Sequence, residues 1–260
     1  MDTKTILLDI GGTFIKCSDG RQIPIDSAGS RDAIASALRE AIGDASRVAV
    51  AIPGPFDYEN GIFLMKHKFA SVYGERFAEL AGRSCSYRFV HDVNAALMGE
   101  MKGHKNIALI TLGTGLGFAY SLNGKVQSAP SGSPARAIYN IPCGDGILED
   151  YVSKRGITAA YARLGGNPSM SVREIADNAR SGDHAALKAF SESASILAHY
   201  LGPVLRDLGI SKVVLGGQIS RSFDLMEKDL KHGLGPYVEV TASEDIGGSV
   251  FRGISRLFDN

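Results

Sequence analysis

Cysteine is scarce in this chain, neither sign of charge is in excess, and no apolar run is long. Each shortage excludes something. The three cysteines, Cys17, Cys85 and Cys143, are scattered; they make no disulfide framework and suit a reducing compartment. Lysine plus arginine number 28, as do aspartate plus glutamate, and basic blocks are missing. Nucleic acid and anionic membrane are therefore not expected as partners. The apolar runs fall well short of the roughly 20 residues that span a bilayer. The N-terminus enters its first strand without a charged region, apolar stretch or cleavage site, so a cytoplasmic location is expected. What remains is 260 residues, 44% of them hydrophobic, enough for one large domain or two small ones with a real core.

The chain is organised around Ile6-Leu7-Leu8-Asp9-Ile10-Gly11-Gly12-Thr13, an apolar strand that ends in one carboxylate and empties into a Gly-Gly-Thr turn. Glycine lets backbone N–H groups come close to a polyphosphate, and Thr13 adds a hydroxyl. Asp9 at the strand tip is placed to hold Mg²⁺, directly or through water, because that ion takes oxygen ligands and shares them with phosphates. A lone turn of this kind is a weak signal. The chain repeats it at Ala108–Gly117, where Gly113-Thr114-Gly115 follows a second apolar strand. In both places an apolar run leaves the turn and reaches an Asx-Gly hairpin, Asp19-Gly20 and Asn123-Gly124. The repeat predicts two similar lobes facing each other.

Between the two copies the periodicity predicts a helix over Ser30–Gly43 and a strand over Arg47–Ile52, closed by Pro53-Gly54-Pro55. Strand, helix, strand implies a crossover and a largely parallel sheet, whose ligands bind beyond the carboxyl strand ends. The Pro-Gly-Pro turn reads equally as a plain stop or as a ligand-facing turn. Phe56–Tyr73 is expected to be an irregular loop holding the basic cluster Lys66-His67-Lys68. Tyr87–His91 reads as a strand, with Asp92 at the mouth of a helix over Val93–Lys102. Locally Asp92 reads best as a helix cap; the sharper reading is a carboxylate free to accept a proton from a hydroxyl. Beyond the second hairpin, Ser128–Asp145 is expected as a loop and Ile147–Tyr161 and Ser171–Arg180 as helices. A long helix is expected over Asp183–Leu208, kinked at Gly202-Pro203. Lys212–Leu215 then feeds Gly216-Gly217 ahead of a helix whose N-terminus suits an anion or nucleotide. A strand at Val238–Thr241 and a helix over Gly248–Phe258 close an alternating α/β pattern.

These motifs together resemble those of the ROK family of sugar kinases, within the actin-like ATPase superfamily, over nearly the whole chain. The carriers are Asp9–Thr13, Pro53–Asp57, Asp92–Ala96 with Gly99-Glu100, Leu112–Gly117, Gly182-Asp183 with Ala185, and Leu215–Gly217. The resemblance implies an α/β fold of two ribonuclease-H-like lobes around a central cleft. The first lobe would be residues 1–103 plus 248–260 and the second 104–247. It further implies ATP held by Gly11, Gly12 and Thr13 and by Gly113, Thr114 and Gly115, with adenosine near Gly216 and Gly217. Asp92 becomes the general base, which overrides the local preference for a cap, and Asp9 the Mg²⁺ carboxylate. Lys16 points at phosphate or is solvated. Gly54, His67, His91 and Glu149 are the candidate substrate contacts, and a homodimer is expected.

The departures bear on the substrate. Many family members carry a Cys-x-Cys-Gly-x-x-Gly-Cys zinc run; here Ile141–Glu149 is one residue shorter and keeps only Cys143, so no structural zinc is expected. The family's Glu-x-Gly-His sugar clamp is missing from Ser131–Asn140, and His91 stands where an Asn usually precedes the catalytic Asp. Phosphotransfer to a sugar or polyol hydroxyl is the expected chemistry, with the sugar identity and the donor (ATP or polyphosphate) open. A non-catalytic sugar or nucleotide sensor of the same fold is the alternative.

Overall fold

In the computed structural model, which describes residues 4–245 and 247–258, β1 (Thr5–Ile10) buries Ile6, Leu8 and Ile10 on one face. Its period of two is what a half-covered strand requires. β2 (Phe14–Cys17) runs antiparallel to it, and β3 (Gln22–Pro24) antiparallel to β2. α1 (Arg31–Ile42) then crosses over. Ser30 Oγ accepts the Ala33 N–H at 3.3 Å to cap it, and Gly43, at φ +59°, ends it. β4 (Arg47–Ile52) returns parallel to β1. The short hairpin of β5 (Phe56–Asp57) and β6 (Ile62–Phe63) and the helix α2 (Phe77–Ala81) lead to β7 (Ser86–His91), parallel to β4. α3 (Asp92–Glu100) follows directly. The sheet order is β3-β2-β1-β4-β7.

The second sheet repeats this plan. β8 (Ile107–Leu112) pairs antiparallel with β9 (Leu116–Leu122), beside which lies β10 (Lys125–Val126). The hairpin of β11 (Pro142–Cys143) and β12 (Gly146–Ile147) precedes the helices α4 (Leu148–Val152), α5 (Lys154–Arg163), α6 (Val172–Arg180) and α7 (His184–Leu208). β13 (Lys212–Gly216) lies parallel to β8, and after α8 (Glu227–Leu234) comes β14 (Glu239–Ala242), parallel to β13. The order β10-β9-β8-β13-β14 matches the first sheet strand for strand.

The chain divides into two compact units, each with its own core. The first holds residues up to Glu100, Val126–Ala135 and the segment from Gly247, which contains α9 (Gly248–Ile254). The second holds Met101–Lys125 and the stretch beginning at Arg136. The sequence reading assigned Val126–Ala135 to the second lobe. It packs with the first because Asn94 on α3 donates to Ser128 Oγ (3.1 Å) and to the Gly132 carbonyl (3.3 Å).

Other local expectations are corrected by tertiary contacts. Phe56–Tyr73 is an ordered hairpin, its rings Phe56, Phe63 and Phe69 packed against one another and against Phe77 and Phe89. The helix expected over Ile147–Tyr161 is two helices, broken at the extended Ser153. There the Lys154 N–H leaves the helical ladder to bond the Gly113 carbonyl at 2.8 Å. The long helix is found as expected: α7 is one element with Pro203 inside it. The segment after Gly217 is 3₁₀-helical over Gln218–Leu225 with a break at Ser222, and the last helix ends as a 3₁₀ turn over Ser255–Phe258.

Candidate functional site

β1 and β7 are both in the first sheet, flanking β4, and their carboxyl ends carry Asp9 and, one residue beyond β7, Asp92. Asp9 is mostly covered. Lys16, which faces it in the β1–β2 register, approaches its Oδ2 to 3.4 Å. Burial raises the Asp9 carboxyl above its ordinary value; Lys16 opposes this, and the negative charge of Asp92 adds to it. Asp92 behaves differently. Burial would raise it, but the hydrogen bond and charge of His91, the Val93 N–H and the charge of Lys68 together hold it below the usual carboxylate range. His91 Nδ1 lies 2.8 Å from Asp92 Oδ1, and the Val93 N–H donates to the same oxygen at 2.7 Å. A proton on Nδ1 makes His91 the donor to this carboxylate. The Asp92 side chain keeps 35% of its surface accessible, so an ionised carboxylate is both fixed and reachable.

The Gly11–Thr13 turn spends only part of its hydrogen-bonding capacity on itself. Gly11 N–H donates to the Phe14 carbonyl at 2.9 Å, while the carbonyls of Gly12 and Thr13 accept from Ser27 and Ile25. Among the described residues, the N–H groups of Gly12 and Thr13 have no protein partner. A Cβ on Gly12 would reach Ser27 Oγ at 3.4 Å and Lys68 Cε at 4.0 Å. Lys68, not the exposed His67 of the same cluster, is thus the basic residue beside this turn. No periodicity marks it; Phe69 N–H bonding the Ser27 carbonyl puts it there.

In the second unit the equivalent turn is one residue tighter, since Leu112 pairs with Leu116 where Ile10 pairs with Ile15. Gly113 N–H bonds the Gly115 carbonyl at 3.0 Å, and the N–H groups of Thr114 and Gly115 have no partner among the described residues. Glu149 braces this turn. Its Oε2 accepts the Leu116 N–H at 2.8 Å and its Oε1 accepts from Arg155 at 2.9 Å. Gly216 pairs with Thr111 at the end of β8, and Gly217, at φ +79°, lies so close to Leu112 that a Cβ would sit 2.3 Å from its carbonyl oxygen. Only glycine fits there. Gly113–Gly115 and Gly216–Gly217 therefore share one sheet edge.

In the first unit Gly54 leaves room for two rings: a Cβ would come within 3.2 Å of Tyr58 Oη and 3.5 Å of His91 Nε2. Tyr58 donates to the Ile52 carbonyl at 3.1 Å, and burial, then the Asp92 charge, push its phenol well up from the ordinary value. Sequence reasoning missed Tyr58, whose place beside Asp92 depends on the β5–β6 turn.

Among the described residues, no group of three or more His, Cys, Asp or Glu side chains is arranged to hold a metal. Cys143 is buried. Where the family's zinc run would be, hydrogen bonds organise the β11–β12 hairpin: Tyr151 pairs with Asp145, and Asp150 Oδ2 accepts the Ile147 N–H at 2.9 Å. Protein purified without added zinc is expected to contain far less than one equivalent by metal analysis; a stoichiometric zinc that resists dialysis would overturn this. A lone partly accessible carboxylate such as Asp9 does fit Mg²⁺, which keeps several waters and takes one or two protein carboxylates with substrate phosphates.

Two five-stranded sheets of the same order, each with a glycine turn at the end of its first strand, define the actin-like ATPase fold. A ROK family glucokinase from Streptomyces griseus, solved with glucose and AMPPNP, superposes with a TM-score of 0.79 at 22% identity, covering 97% of this chain and 98% of that one. The family model described as "ROK family" matches residues 25–246, and the chain belongs to that family. It is 27% identical over 224 residues to a glucokinase of Thermotoga maritima (75% of this chain, 71% of that protein). It is 25% identical over 229 residues to an N-acetyl-D-glucosamine kinase of Haemophilus influenzae (78% and 75%).

Proposed function

We propose that the chain transfers the terminal phosphoryl group of ATP to a hydroxyl of a sugar or polyol, with Asp92 as general base. The observation that carries this reading is the state of Asp92: partly accessible, and held ionised by His91, the Val93 N–H and Lys68. An ionised carboxylate beside an incoming hydroxyl accepts its proton as the oxygen attacks in line. The N–H groups of Gly12 and Thr13, and separately those of Thr114 and Gly115, are unpartnered among the described residues and are the donors that each unit offers to phosphate. Lys68 adds positive charge beside the first turn, and Lys16 screens Asp9. Asp9 would hold Mg²⁺, which when bound neutralises charge on the transferring phosphates. Gly216 and Gly217 form the adenosine end, and Gly54 and His91 the substrate end; Glu149 acts through the turn it braces.

A coupled assay over hexoses, amino sugars and polyols tests the reading. ATP-dependent turnover on any of them supports it, whereas sugar binding without turnover across the panel would leave a sensor. Thr114→Val, which keeps shape and deletes a hydroxyl from the second turn, is expected to weaken nucleotide binding about tenfold, the worth of one hydrogen bond to a charged group. Sugar affinity should hold; calorimetry that finds both affinities lost equally would make the turn structural.

A further inference from the structure

The first unit contains a pocket of about 520 Å³ that the reaction above does not use. One wall is the β5–β6 turn and the other the Pro130–Gly132 loop. That volume falls within the roughly 300–1,000 Å³ of ligand pockets. Both walls are built. Asp57 Oδ1 accepts the N–H groups of Glu59 (3.1 Å) and Asn60 (2.9 Å), and its Oδ2 accepts Asn60 Nδ2 at 2.9 Å. Opposite, Asn94 grips Ser128 and Gly132, and the Gly132 N–H closes onto the Ala129 carbonyl at 2.8 Å. Gly132 stands at φ +84°, and a Cβ there would lie 2.7 Å from Tyr58 Cδ2, so only glycine brings the loop down onto that ring. Tyr58 is also the link to the chemistry. Its ring lies 5.9 Å from that of His91, which holds Asp92. The pocket begins one aromatic ring away from the base.

Its lining says what it takes. Tyr58, Leu64 and Pro130 offer apolar surface, while Glu59, Asn60 and Ser131 offer acceptors and donors; no basic side chain lines it. Apolar faces interleaved with hydrogen-bonding groups match a sugar ring, with its C–H faces and peripheral hydroxyls. Asp57 is within reach of the Arg76 charge, but Glu59 adds a second carboxylate to the lining, which disfavours an anionic group. We infer that this pocket is a second acceptor subsite, which takes a neutral or amine-bearing sugar ring linked to the ring phosphorylated beside Asp92. The inference rests on the kinase reading for the place of the reacting hydroxyl. It makes the acceptor a disaccharide or larger glycoside.

The test compares the parent with Ser131→Trp, which fills the pocket, and Glu59→Lys, which reverses its charge. Acceptors are glucose, maltose, cellobiose, and disaccharides bearing one amine or one carboxylate. The parent is expected to favour at least one neutral or amine-bearing disaccharide over the monosaccharide by about tenfold or more in kcat/KM. Ser131→Trp should remove that preference through KM and leave monosaccharide turnover within about twofold. Glu59→Lys should weaken amine-bearing disaccharides and improve carboxylate-bearing ones. A parent that phosphorylates glucose and gains nothing from a second ring, or a Ser131→Trp variant that loses both acceptors equally, would overturn the subsite and leave the kinase reading standing. If no acceptor is turned over, the kinase reading fails, and calorimetry of disaccharide binding to parent and Ser131→Trp decides the pocket alone. Binding that Ser131→Trp abolishes supports the subsite, and no binding to the parent overturns it.

Discussion

Asp92→Asn is expected to melt like the parent and to lose turnover by about 10²–10⁴-fold, the usual contribution of a positioned general base. The two halves of this result separate the cap from the base. The Asp92 carboxylate accepts the Val93 N–H at 2.7 Å and lies 2.8 Å from His91 Nδ1. An Asn oxygen accepts both bonds and caps about as well as Asp, so stability should change by less than about 1 kcal/mol. What Asn lacks is basicity. Nucleotide affinity should hold, because the proposed phosphate donors are backbone groups of other segments. The parent's pH profile carries a linked expectation. A carboxyl held below its ordinary value of 3.8 stays ionised as pH falls, so loss of this base should reduce the rate only below about pH 4. The measurements are melting temperature, turnover and the acid limb on one acceptor. A variant that melts normally and still works within a few-fold of the parent would reduce Asp92 to a helix cap.

Much of the fold is legible because its signals are local. Ser30 and Gly43 bracket α1 as cap and stop, and Asp183 caps α7 by accepting the Ala185 and Ala186 N–H groups. The duplication is legible for the same reason: two apolar strands, two glycine turns and two Asx-Gly hairpins follow in the same order, and the two sheets share one order. The misreadings occur where distant backbone wins. α4 and α5 are separate because Lys154 bonds Gly113, some forty residues away, and because Gly156 packs where a Cβ would sit 2.2 Å from the Tyr151 carbonyl carbon. The Gly113 bond lies outside any local window, and the Gly156–Tyr151 approach, five residues apart, shows no helical period that would mark it.

The site divides along the same line. Asp9, Asp92 and the Gly11–Thr13 turn stand at strand ends of the first sheet, so their nearness follows from the order of its elements. The roles of Lys68 and Tyr58 depend on how the Phe56–Tyr73 segment folds, which its aromatic cluster decides. Glu149 illustrates a third case. Its place in the sequence points to a sugar, but both carboxylate oxygens are engaged within its own unit, by Leu116 and Arg155.

The position of Asp92 also depends on two glycines that neither touch a ligand nor stand in a turn. α3, which begins at Asp92, packs against α9 so closely that a Cβ on Gly99 would lie 1.9 Å from the Ser249 carbonyl oxygen, and one on Gly253 1.9 Å from that of Ala95. Both obstacles are backbone, so they cannot swing away as a side chain would. Alanine gains about 1 kcal/mol over glycine in a helix interior. Overpacking costs typically 1–3 kcal/mol and more where backbone must move, which here outweighs the gain. Gly99→Ala is therefore expected to destabilise by about 2–3 kcal/mol, lowering the melting temperature by about 4–12 °C at roughly 2–4 °C per kcal/mol for a chain of this size. Gly253→Ala should do the same. The double variant should cost less than the sum, because helices already forced apart by one methyl accommodate the second. Turnover should fall further than stability explains, since a shift of about 1 Å in the helix bearing the base costs up to about 10²-fold. Calorimetric melting and kinetics of the two single variants and the double check this; a Gly99→Ala protein that melts at or above the parent would mean that α3 and α9 do not meet backbone to backbone.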